Sequence, residues 1–384
     1  MSAYGRAMTQ LVAVHGVLPD HRYPQSELTD LVAEACRLDD AQRRFLERVH
    51  RGAGVQTRHL VLPIEEYRTL RDFGAANDAF LTGAVDLGSR AILGALAEAG
   101  LTVDDVDVIL AVSSTGLAIP SLDARIAGHI GLRPDVKRTP IVGLGCAAGA
   151  VGISRLHDYL RGWPDQVAVL VTVELCSLTA QYDDRSPTNL VASGLFGDGA
   201  AAVVAVGPER AAATPGVAGS AATAGSAATA GSAGARASAR GPRVIATRSA
   251  LYPGTFRTMG FDVGAGGLRV VLGTEVPALV AEHLRADVDT FLADHGLTRK
   301  DITTWVSHPG GPKVLEAVET GLELPEGALG ASWSSLRRIG NVSSASVLHI
   351  LRDTLVDRPP EPDTPGMLLA MGPGFSAELV LLQW

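Results

Sequence analysis

The sequence predicts an α/β protein built from two diverged copies of one unit. The segment Gly100–Asp105, which leads into an apolar run, recurs 196 residues later as Gly296–Asp301, again before an apolar run. At nearly the same offset, Gly145-Cys146 recurs as Gly340-Asn341. A chain of 384 residues with 46% hydrophobic residues can bury the core of two such units. We therefore expect a duplicated fold with functional residues at equivalent strand ends.

A low-complexity segment separates the two predicted units. Between residues 211 and 240 Ala, Gly and Ser dominate, and Ala218–Thr223 recurs as Ala224–Thr229. This segment lacks the bulky apolar side chains that offset the entropy cost of ordering, which favours a flexible linker over an alanine-rich helix. The predicted units are therefore 1–210 and 242–384, with the linker at 211–241.

The composition argues against several classes of protein. Three cysteines without paired or metal-type spacing favour a reducing compartment, with no disulfide framework and no metal site. The formal net charge of -8 argues against a general nucleic-acid-binding protein. Because the sequence shows no signal-peptide pattern and no long uninterrupted apolar run, we expect a cytoplasmic protein without a membrane span.

Cys146 is the first candidate catalytic residue. It follows an apolar run and two glycines, and Ile153, Leu156 and Leu160 then recur at helical spacing. The pattern places the cysteine near a helix N-terminus, where exposed N–H groups and the helix dipole stabilise a thiolate. A free cysteine is more often inert core, so a buried structural role is the alternative for this residue taken alone.

Two polar residues of the second unit complete a possible catalytic set. His308 ends a strand-like run and precedes Pro-Gly-Gly, and Asn341 lies in a glycine-flanked turn before a helix-like stretch. Acyl-thioester condensation needs a thiolate that takes the acyl group and an imidazole and amide that hold a thioester oxygen. Most histidines are surface or core residues, but the strand-end position of His308 favours catalysis.

One competing pattern overlaps the cysteine segment. Gly143-x-Gly145-x-x-Ala148 after an apolar run fits the dinucleotide-binding fingerprint, with Glu174 after the next strand-like run. Any strand-to-helix turn that requires glycines gives the same pattern. The dinucleotide interpretation also leaves Cys146 and His308 without roles, so we do not favour it.

These segments resemble those of the type III polyketide synthases, the chalcone-synthase-like branch of the thiolase fold. The resemblance runs from about Val55 to the C-terminus, interrupted by the linker. It rests on five ordered segments, namely the nucleophile segment 145–149, the gatekeeper-phenylalanine segment 195–201, the histidine segment 307–311, the asparagine segment 340–344 and the glycine-rich loop 371–374. The resemblance implies a thiolase-like fold of two duplicated halves in αβαβα layers.

The resemblance also implies residue roles. Cys146, paired with an imidazolium at His308, would take an acyl starter from CoA. His308 and Asn341 would then donate hydrogen bonds to the thioester oxygen of malonyl-CoA as CO₂ is lost. Phe196 would shape the cavity mouth, with an ordinary core aromatic as the alternative. We expect acyl-CoA and malonyl-CoA as substrates, a homodimer, and no metal, redox cofactor or carrier protein.

Further residues match positions that line the family's cavity. They are Ser114, Thr179, Val270, Ser343, Gly372, Pro373 and Gly374. Small side chains at these points leave volume for an extended chain. The segments that begin at His308 and Ser344 also resemble those of bacterial alkylresorcinol and alkylpyrone synthases, which implies a medium or long fatty acyl starter and a product of that class. The alternatives are a malonyl-primed tetrahydroxynaphthalene-type synthase and a single-round ketoacyl-carrier-protein synthase.

Two more expectations concern the surface. Ile119 matches the family residue that crosses the dimer interface to wall the partner's cavity, although an ordinary buried isoleucine is the alternative. Five arginines cluster in the N-terminal part of the chain, at positions 43, 44, 48, 51 and 58. Such a cluster can hold the phosphates of CoA or form a solvated helix face. The resemblance favours Arg44, Arg48 and Arg51 as the CoA-binding set.

Overall fold

The computed structural model describes residues 8–70, 72–213, 241–264 and 266–384. Of the predicted linker, residues 211–213 end a short helix, and 214–240 lie outside the described ranges. The flexibility of the linker and the boundaries drawn from it therefore stay predictions.

Thirteen strands occur in the described residues. Those of the N-terminal half are β1 (Thr9–Val17), β2 (His21–Pro24), β3 (Thr57–Leu60), β4 (Val108–Val112), β5 (Lys137–Ile141), β6 (Val167–Leu175) and β7 (Asp198–Val206). Those of the C-terminal half are β8 (Arg243–Leu251), β9 (Met259–Gly264), β10 (Gly267–Leu272), β11 (Thr304–Ser307), β12 (Pro365–Gly372) and β13 (Ser376–Gln383).

Eleven α-helices connect these strands in the described residues. The first seven are α1 (Gln25–Ala35), α2 (Asp40–Gly52), α3 (Phe73–Ala99), α4 (Leu122–Ile130), α5 (Ala148–Gly162), α6 (Pro187–Leu195) and α7 (Pro208–Ala213). The last four are α8 (Val276–Ala293), α9 (Pro312–Leu322), α10 (Gly330–Ile339) and α11 (Ser346–Asp357).

The strand order shows the predicted duplication. The main sheet of the described residues runs β11-β12-β13-β8-β1-β7-β6-β4-β5. Outward from β1, the order β1-β7-β6-β4 has two antiparallel pairs and then a parallel pair. Outward from β8, β8-β13-β12-β11 repeats this order and these directions. The two copies meet at β1 and β8, which pair only at Thr9 with Val244 and Gln10 with Arg243.

The sequence repeat that predicted the duplication forms the same local structure twice. In each copy a threonine opens a 3₁₀ turn and an aspartate three residues later accepts hydrogen bonds from its backbone N–H and hydroxyl. The N–H distances are 2.9 Å for Thr102 and Asp105, and 2.8 Å for Thr298 and Asp301. These reciprocal caps satisfy N–H groups that the turn leaves unpaired. One turn leads to β4 and the other to β11.

The packing arranges the two half-sheets around a central helix layer. Helices α5 and α11 belong to one buried apolar cluster that also includes strands of both half-sheets. Leu156 of α5, Ile350 of α11, Leu170 of β6 and Leu368 of β12 are members of this cluster. The opposite face of the first half-sheet packs on α3, and that of the second packs on α8 and α9. Alternation of side chains along each strand supplies both faces. The result is the predicted five-layer αβαβα fold.

The long helix α3 is the one described helix that is long and apolar enough to cross a membrane by length and composition alone. Half of its most apolar window is buried inside the protein. Phe80, Ala84 and Ile92 lie in the cluster that covers the first half-sheet. A core helix meets the same criteria, and the packing of α3 is that of a core helix.

Candidate active site

Cys146 lies in the 3₁₀ turn Gly145–Ala147, directly before α5. Gly145 has a φ of +47°, and a Cβ there would lie 2.7 Å from the Pro373 ring. A Cβ on Gly149 would lie 2.3 Å from the carbonyl oxygen of Ser344. These glycines therefore let two loops of the other half approach the cysteine turn closely. In the pattern that also fits a dinucleotide fingerprint, this close approach accounts for Gly145, whereas a Cβ on Gly143 would meet nothing within 4 Å and its φ of +89° accounts for the glycine there.

The corresponding turn of the second half is Ser343–Ala345, directly before α11. Because α5 begins at Ala148 and α11 at Ser346, the counterpart of Cys146 is Ser344. Asn341 lies three residues before Ser344 and forms an isolated bridge with Phe196. The predicted equivalence of Cys146 and Asn341 was therefore wrong in register, although both residues belong to the same cavity.

The amide of Asn341 has a fixed orientation. Its Oδ1 accepts a hydrogen bond from the backbone N–H of Ser343 at 2.8 Å and lies 3.4 Å from the hydroxyl of Ser346. Because the Oδ1 accepts these hydrogen bonds, the amide NH₂ is the group of Asn341 that can donate to Cys146. A hydrogen bond from Asn341 lowers the pKa of Cys146 and so favours the thiolate. An aspartate in this place could not donate.

Burial dominates the acidity of the cysteine. The Cys146 Sγ lies 3.6 Å from the Ser343 hydroxyl. Burial raises the pKa of Cys146 to about 11, and the charge of Glu174 adds to the rise. Hydrogen bonds from Ser343 and Asn341 act in the opposite direction. The thiol form is therefore favoured in this structure, in contrast to the predicted thiolate.

His308 follows β11 directly and is 2% exposed. Its backbone N–H donates to the carbonyl oxygen of Leu369 at 2.9 Å, which fixes the strand end. Neither ring nitrogen has a hydrogen-bond partner among the described residues, so the predicted ion pair with Cys146 is not formed here. Burial lowers the pKa of His308 to about 3, which favours a neutral imidazole.

Glu174, near the end of β6, accepts hydrogen bonds from residues of both halves. Its carboxylate accepts hydrogen bonds from the Ser344 hydroxyl at 2.5 Å, the Ser114 N–H at 3.0 Å and the Thr115 hydroxyl at 3.1 Å. Burial raises the pKa of Glu174 to about 7 despite these bonds. Sequence reasoning considered this residue only within the dinucleotide fingerprint. A carboxylate near the end of a strand whose other residues are apolar except for Thr172 was the signal that could have identified it.

One cavity of about 140 Å³ joins most of the predicted residues. From the predicted set, its lining includes Cys146, His308, Asn341, Phe196, Thr179, Val270, Ser343 and Pro373. Much of the remaining wall is apolar or aromatic, including Phe261 and Phe375, which the sequence analysis did not single out. The arrangement combines a thiol, an imidazole and an amide in a largely apolar pocket, where hydrogen bonds to developing charge are stronger than in water.

Three predicted pocket residues lie behind the wall rather than in it. The residues that line the cavity in the described part of the chain do not include Ser114, Gly372 or Gly374. The Ser114 hydroxyl accepts a hydrogen bond from the Gly145 N–H at 3.2 Å. A Cβ on Gly372 would lie 2.5 Å from the carbonyl oxygen of Leu144, and Gly374 has a φ of +132°. These residues therefore position the cysteine turn and the Pro373 loop.

The predicted surface residues lie where the sequence suggested an exposed position. Ile119 is 96% exposed, so the alternative of a residue buried within its own subunit is wrong for this structure. Arg44, Arg48 and Arg51 are exposed on α2 and do not line the cavity. Arg58 differs from them because it is buried and lines the cavity.

Comparisons with known proteins identify the family. The family model described as chalcone and stilbene synthases, N-terminal domain, matches residues 1–209, and the corresponding C-terminal model matches 244–384. The chain belongs to the chalcone and stilbene synthase family. It is a type III polyketide synthase, an enzyme of the acyltransferase type.

Individual relatives give more detail. A 1,3,6,8-tetrahydroxynaphthalene synthase of Streptomyces peucetius subsp. caesius is 54% identical over 98% of this chain and 93% of its own. A putative chalcone synthase of Bacillus subtilis is 32% identical over 86% of each chain. The crystal structure of the 1,3,6,8-tetrahydroxynaphthalene synthase of Streptomyces coelicolor A3(2), a bacterial type III polyketide synthase, superimposes with a TM-score of 0.85. That structure is 31% identical and covers 98% of this synthase and 99% of its own chain.

Proposed function

We propose that this synthase uses malonyl-CoA both as starter and as extender and forms 1,3,6,8-tetrahydroxynaphthalene or a similar hydroxylated aromatic. The observation that carries the proposal is the 54% identity, over nearly the whole chain, to a synthase of that product. The ten carbons and alternating hydroxyls of the product correspond to five two-carbon units, with no alkyl side chain. Five malonyl-CoA would give one product molecule, five CO₂, five CoA and one water.

Cys146 is the proposed nucleophile. Its thiol is neutral at rest, so its proton must move as the sulfur attacks the CoA thioester. His308 lines the same cavity and has no other partner among the described residues, which makes its imidazole the proposed acceptor of that proton. The thioester formed on Cys146 is then the electrophile of the condensation step.

His308 and Asn341 are the proposed donors for the second substrate. Loss of CO₂ from malonyl-CoA leaves an enolate whose charge lies on the thioester oxygen. A neutral imidazole N–H and the Asn341 amide can both donate to that oxygen, because the Asn341 Oδ1 is held by Ser343. The enolate carbon then attacks the acyl group on Cys146. Donors placed before the charge develops stabilise the transition state more than the ground state.

Two further proposals concern CoA binding and the oligomeric state. We propose that Arg44, Arg48 and Arg51, exposed on α2, hold the phosphates of CoA. We also propose a homodimer in which the exposed Ile119 walls the partner's cavity. Light scattering at micromolar concentration tests the dimer, and a monomer would contradict the shared wall. The proposed chemistry requires no metal, redox cofactor or carrier protein.

Product analysis tests the proposed function. The purified protein is incubated with malonyl-CoA alone, and separately with malonyl-CoA plus hexanoyl-CoA or a long-chain acyl-CoA, and products are read by mass spectrometry. We expect a ten-carbon aromatic from malonyl-CoA alone. Products only in the presence of a fatty acyl-CoA would instead support the alkylresorcinol or alkylpyrone synthase that the sequence resemblance implied.

A further inference from the structure

Two residues that line the cavity carry buried nitrogens without a partner. Among the described residues, His308 has two such ring nitrogens, and Arg58 has an unpartnered Nη2. An unpaired buried donor costs free energy, so a cavity that retains one is expected to pair it when a ligand binds. For His308 this ligand is the proposed substrate. Arg58 shows the same combination of burial, missing partner and position in the cavity wall.

Arg58 is rigidly held and lies next to the catalytic wall. It belongs to β3, is 4% exposed, and its Nε donates to Gln25 Oε1 at 3.0 Å. Its Nη1 donates to the carbonyl oxygen of Phe196 at 2.8 Å. The side-chain stem fills the space that a Cβ on Gly340 would occupy, 3.1 Å from the Arg58 Cγ. The guanidinium is therefore fixed beside the backbone that leads into Asn341.

The buried carboxylate of Asp198 makes no hydrogen bond with the unpartnered Nη2 of Arg58. Asp198 lies close enough to Arg58 to favour its charged form. The Asp198 oxygens instead accept hydrogen bonds from the Ser177 N–H at 2.8 Å, the Ser177 hydroxyl at 2.5 Å and the Val61 N–H at 2.8 Å. Burial lowers the pKa of Arg58 to about 10, so the group still carries its charge at neutral pH. A charged guanidinium with one unpaired NH₂ group can donate hydrogen bonds to a carboxylate.

We propose that Arg58 is a specificity-determining residue whose free Nη2 binds the distal carboxylate of the malonyl group on Cys146. This inference rests on the malonyl priming proposed above. In the loading step the Cys146 sulfur bonds to the acyl carbon, the bond from that carbon to the CoA sulfur breaks, and the thiol proton leaves with CoA as its thiol. The distal carboxylate is unchanged in this step and needs a cation within the apolar cavity. A starter with a purely alkyl end offers Arg58 no acceptor.

A competition assay tests the proposal. Malonyl-CoA and hexanoyl-CoA are supplied together, and the ratio of malonyl-primed to hexanoyl-primed product is measured for Arg58→Met and for Arg58→Gln, whose amide NH₂ can take the place of the Nε that donates to Gln25. We expect the ratio to fall about tenfold or more, as for loss of one hydrogen bond between charged groups. Arg22→Met on the adjacent strand, where the arginine is exposed, should leave the ratio unchanged. An unchanged ratio in both Arg58 variants would show that Arg58 only supports Phe196 and Gln25.

A second measurement separates this inference from the proposed function. The fraction of protein acylated on Cys146 is read by intact mass with succinyl-CoA and with butyryl-CoA, two four-carbon acyl groups that differ by a distal carboxylate. Arg58→Met should lower the succinyl-to-butyryl ratio even if the wild-type protein makes no product from malonyl-CoA alone. The inference would be overturned if the wild type is primed by malonyl-CoA and neither the acylation ratio nor the product ratio changes in Arg58→Met. The proposed function would then still stand.

Discussion

The two turn-and-helix units in the central layer share a backbone and differ in chemistry. Gly145–Ala147 leads into α5, and Ser343–Ala345 leads into α11, each as a 3₁₀ turn. The first unit carries the thiol of Cys146. The second carries hydroxyls, with Ser343 beside that thiol and Ser344 on Glu174. Duplication thus supplied one geometry twice, and the side chains decide that one copy presents a thiol and the other presents hydroxyls.

The strand ends show a second contrast. After β4, the N–H of Ser114 and the hydroxyl of Thr115 both donate to Glu174, so this end is filled with internal hydrogen bonds. After β11, the ring of His308 has no partner among the described residues. A region whose polar groups pair internally is rigid, and one that leaves donors unpaired is prepared for a ligand. Each half therefore holds both supporting and candidate catalytic positions, and the expected effects of substitution differ between these positions.

Removal of the nucleophile should have the largest effect. Cys146→Ala removes the sulfur that carries the acyl group, so we expect product formation to fall at least about 10⁴-fold. Release of CO₂ from malonyl-CoA should persist in this variant, because His308 and Asn341 remain. Product is measured by mass spectrometry and CO₂ by isotope release. Near-normal product from Cys146→Ala would contradict the proposed mechanism.

Loss of either donor should have the next largest effect. His308→Ala and Asn341→Ala should each lower malonyl decarboxylation by about 10² to 10³-fold, the usual cost of removing a donor to a developing oxyanion. His129→Ala on the exposed face of α4 serves as the control and should leave the rate unchanged. Equal rates of malonyl decarboxylation in the Asn341→Ala variant and the wild type would show that the Asn341 amide does not take part in this step.

The buried carboxylate should make stability depend on pH. The pKa of Glu174 is about 7 in the folded protein against 4.5 in the unfolded chain, so the folded state binds more protons between these values. Stability should therefore fall as pH rises from about 4.5 to 7, by an amount on the order of 3 kcal/mol. Thermal melts across this range should show a flatter slope for Glu174→Gln, whatever its absolute stability. An equal slope in both proteins would argue against a raised pKa.

Contact between the two central turns should be sensitive to a single methyl group. A Cβ on Gly149 would meet the Ser344 carbonyl oxygen at 2.3 Å, so Gly149→Ala should destabilise the fold by about 1 to 3 kcal/mol. Gly128→Ala in α4 is the matched control, because nothing lies within 4 Å of its Cβ position. The control should be neutral or stabilising by up to about 1 kcal/mol. Chemical denaturation measures both, and equal stabilities would show that the turns can move apart.

Replacement of the low-complexity segment should have the smallest effect. Residues 214–240 carry almost no bulky apolar side chains, so a short Gly/Ser linker in their place should change melting temperature and turnover very little. A large fall in either quantity would show that the segment packs against one of the halves.

The sequence was sufficient to predict the fold class and to select candidate catalytic residues that the structure brings together, while their catalytic roles stay predictions. The repeat at 100 and 296 forms the same capped turn twice, and Cys146, His308 and Asn341 line one cavity. The turns and strand ends that carry these residues are local features, because their chemistry depends on neighbouring residues. The offset between Gly145-Cys146 and Gly340-Asn341 wrongly predicted that Cys146 and Asn341 are equivalent, because the two turns align Cys146 with Ser344.

What the sequence did not predict depends on long-range contacts. The hydrogen bond between Glu174 and Ser344 joins residues 170 positions apart, and no periodic pattern encodes it. Arg58 was grouped with the arginines at 43, 44, 48 and 51 because it follows them closely in the sequence, yet in β3 it is buried and donates to the Phe196 carbonyl oxygen. The neutral forms favoured at Cys146 and His308 follow from burial, which a helix-dipole argument from sequence does not include.

The short seam between β1 and β8 has a consequence for folding. Two residue pairs are too few to hold the half-sheets together, so the halves are joined mainly through α5 and α11. Opening either half would expose apolar faces of both helices to water, at a cost shared by the whole molecule. The two copies, separable in sequence, should therefore protect their amides from hydrogen exchange as one cooperative unit rather than as two independent foldons.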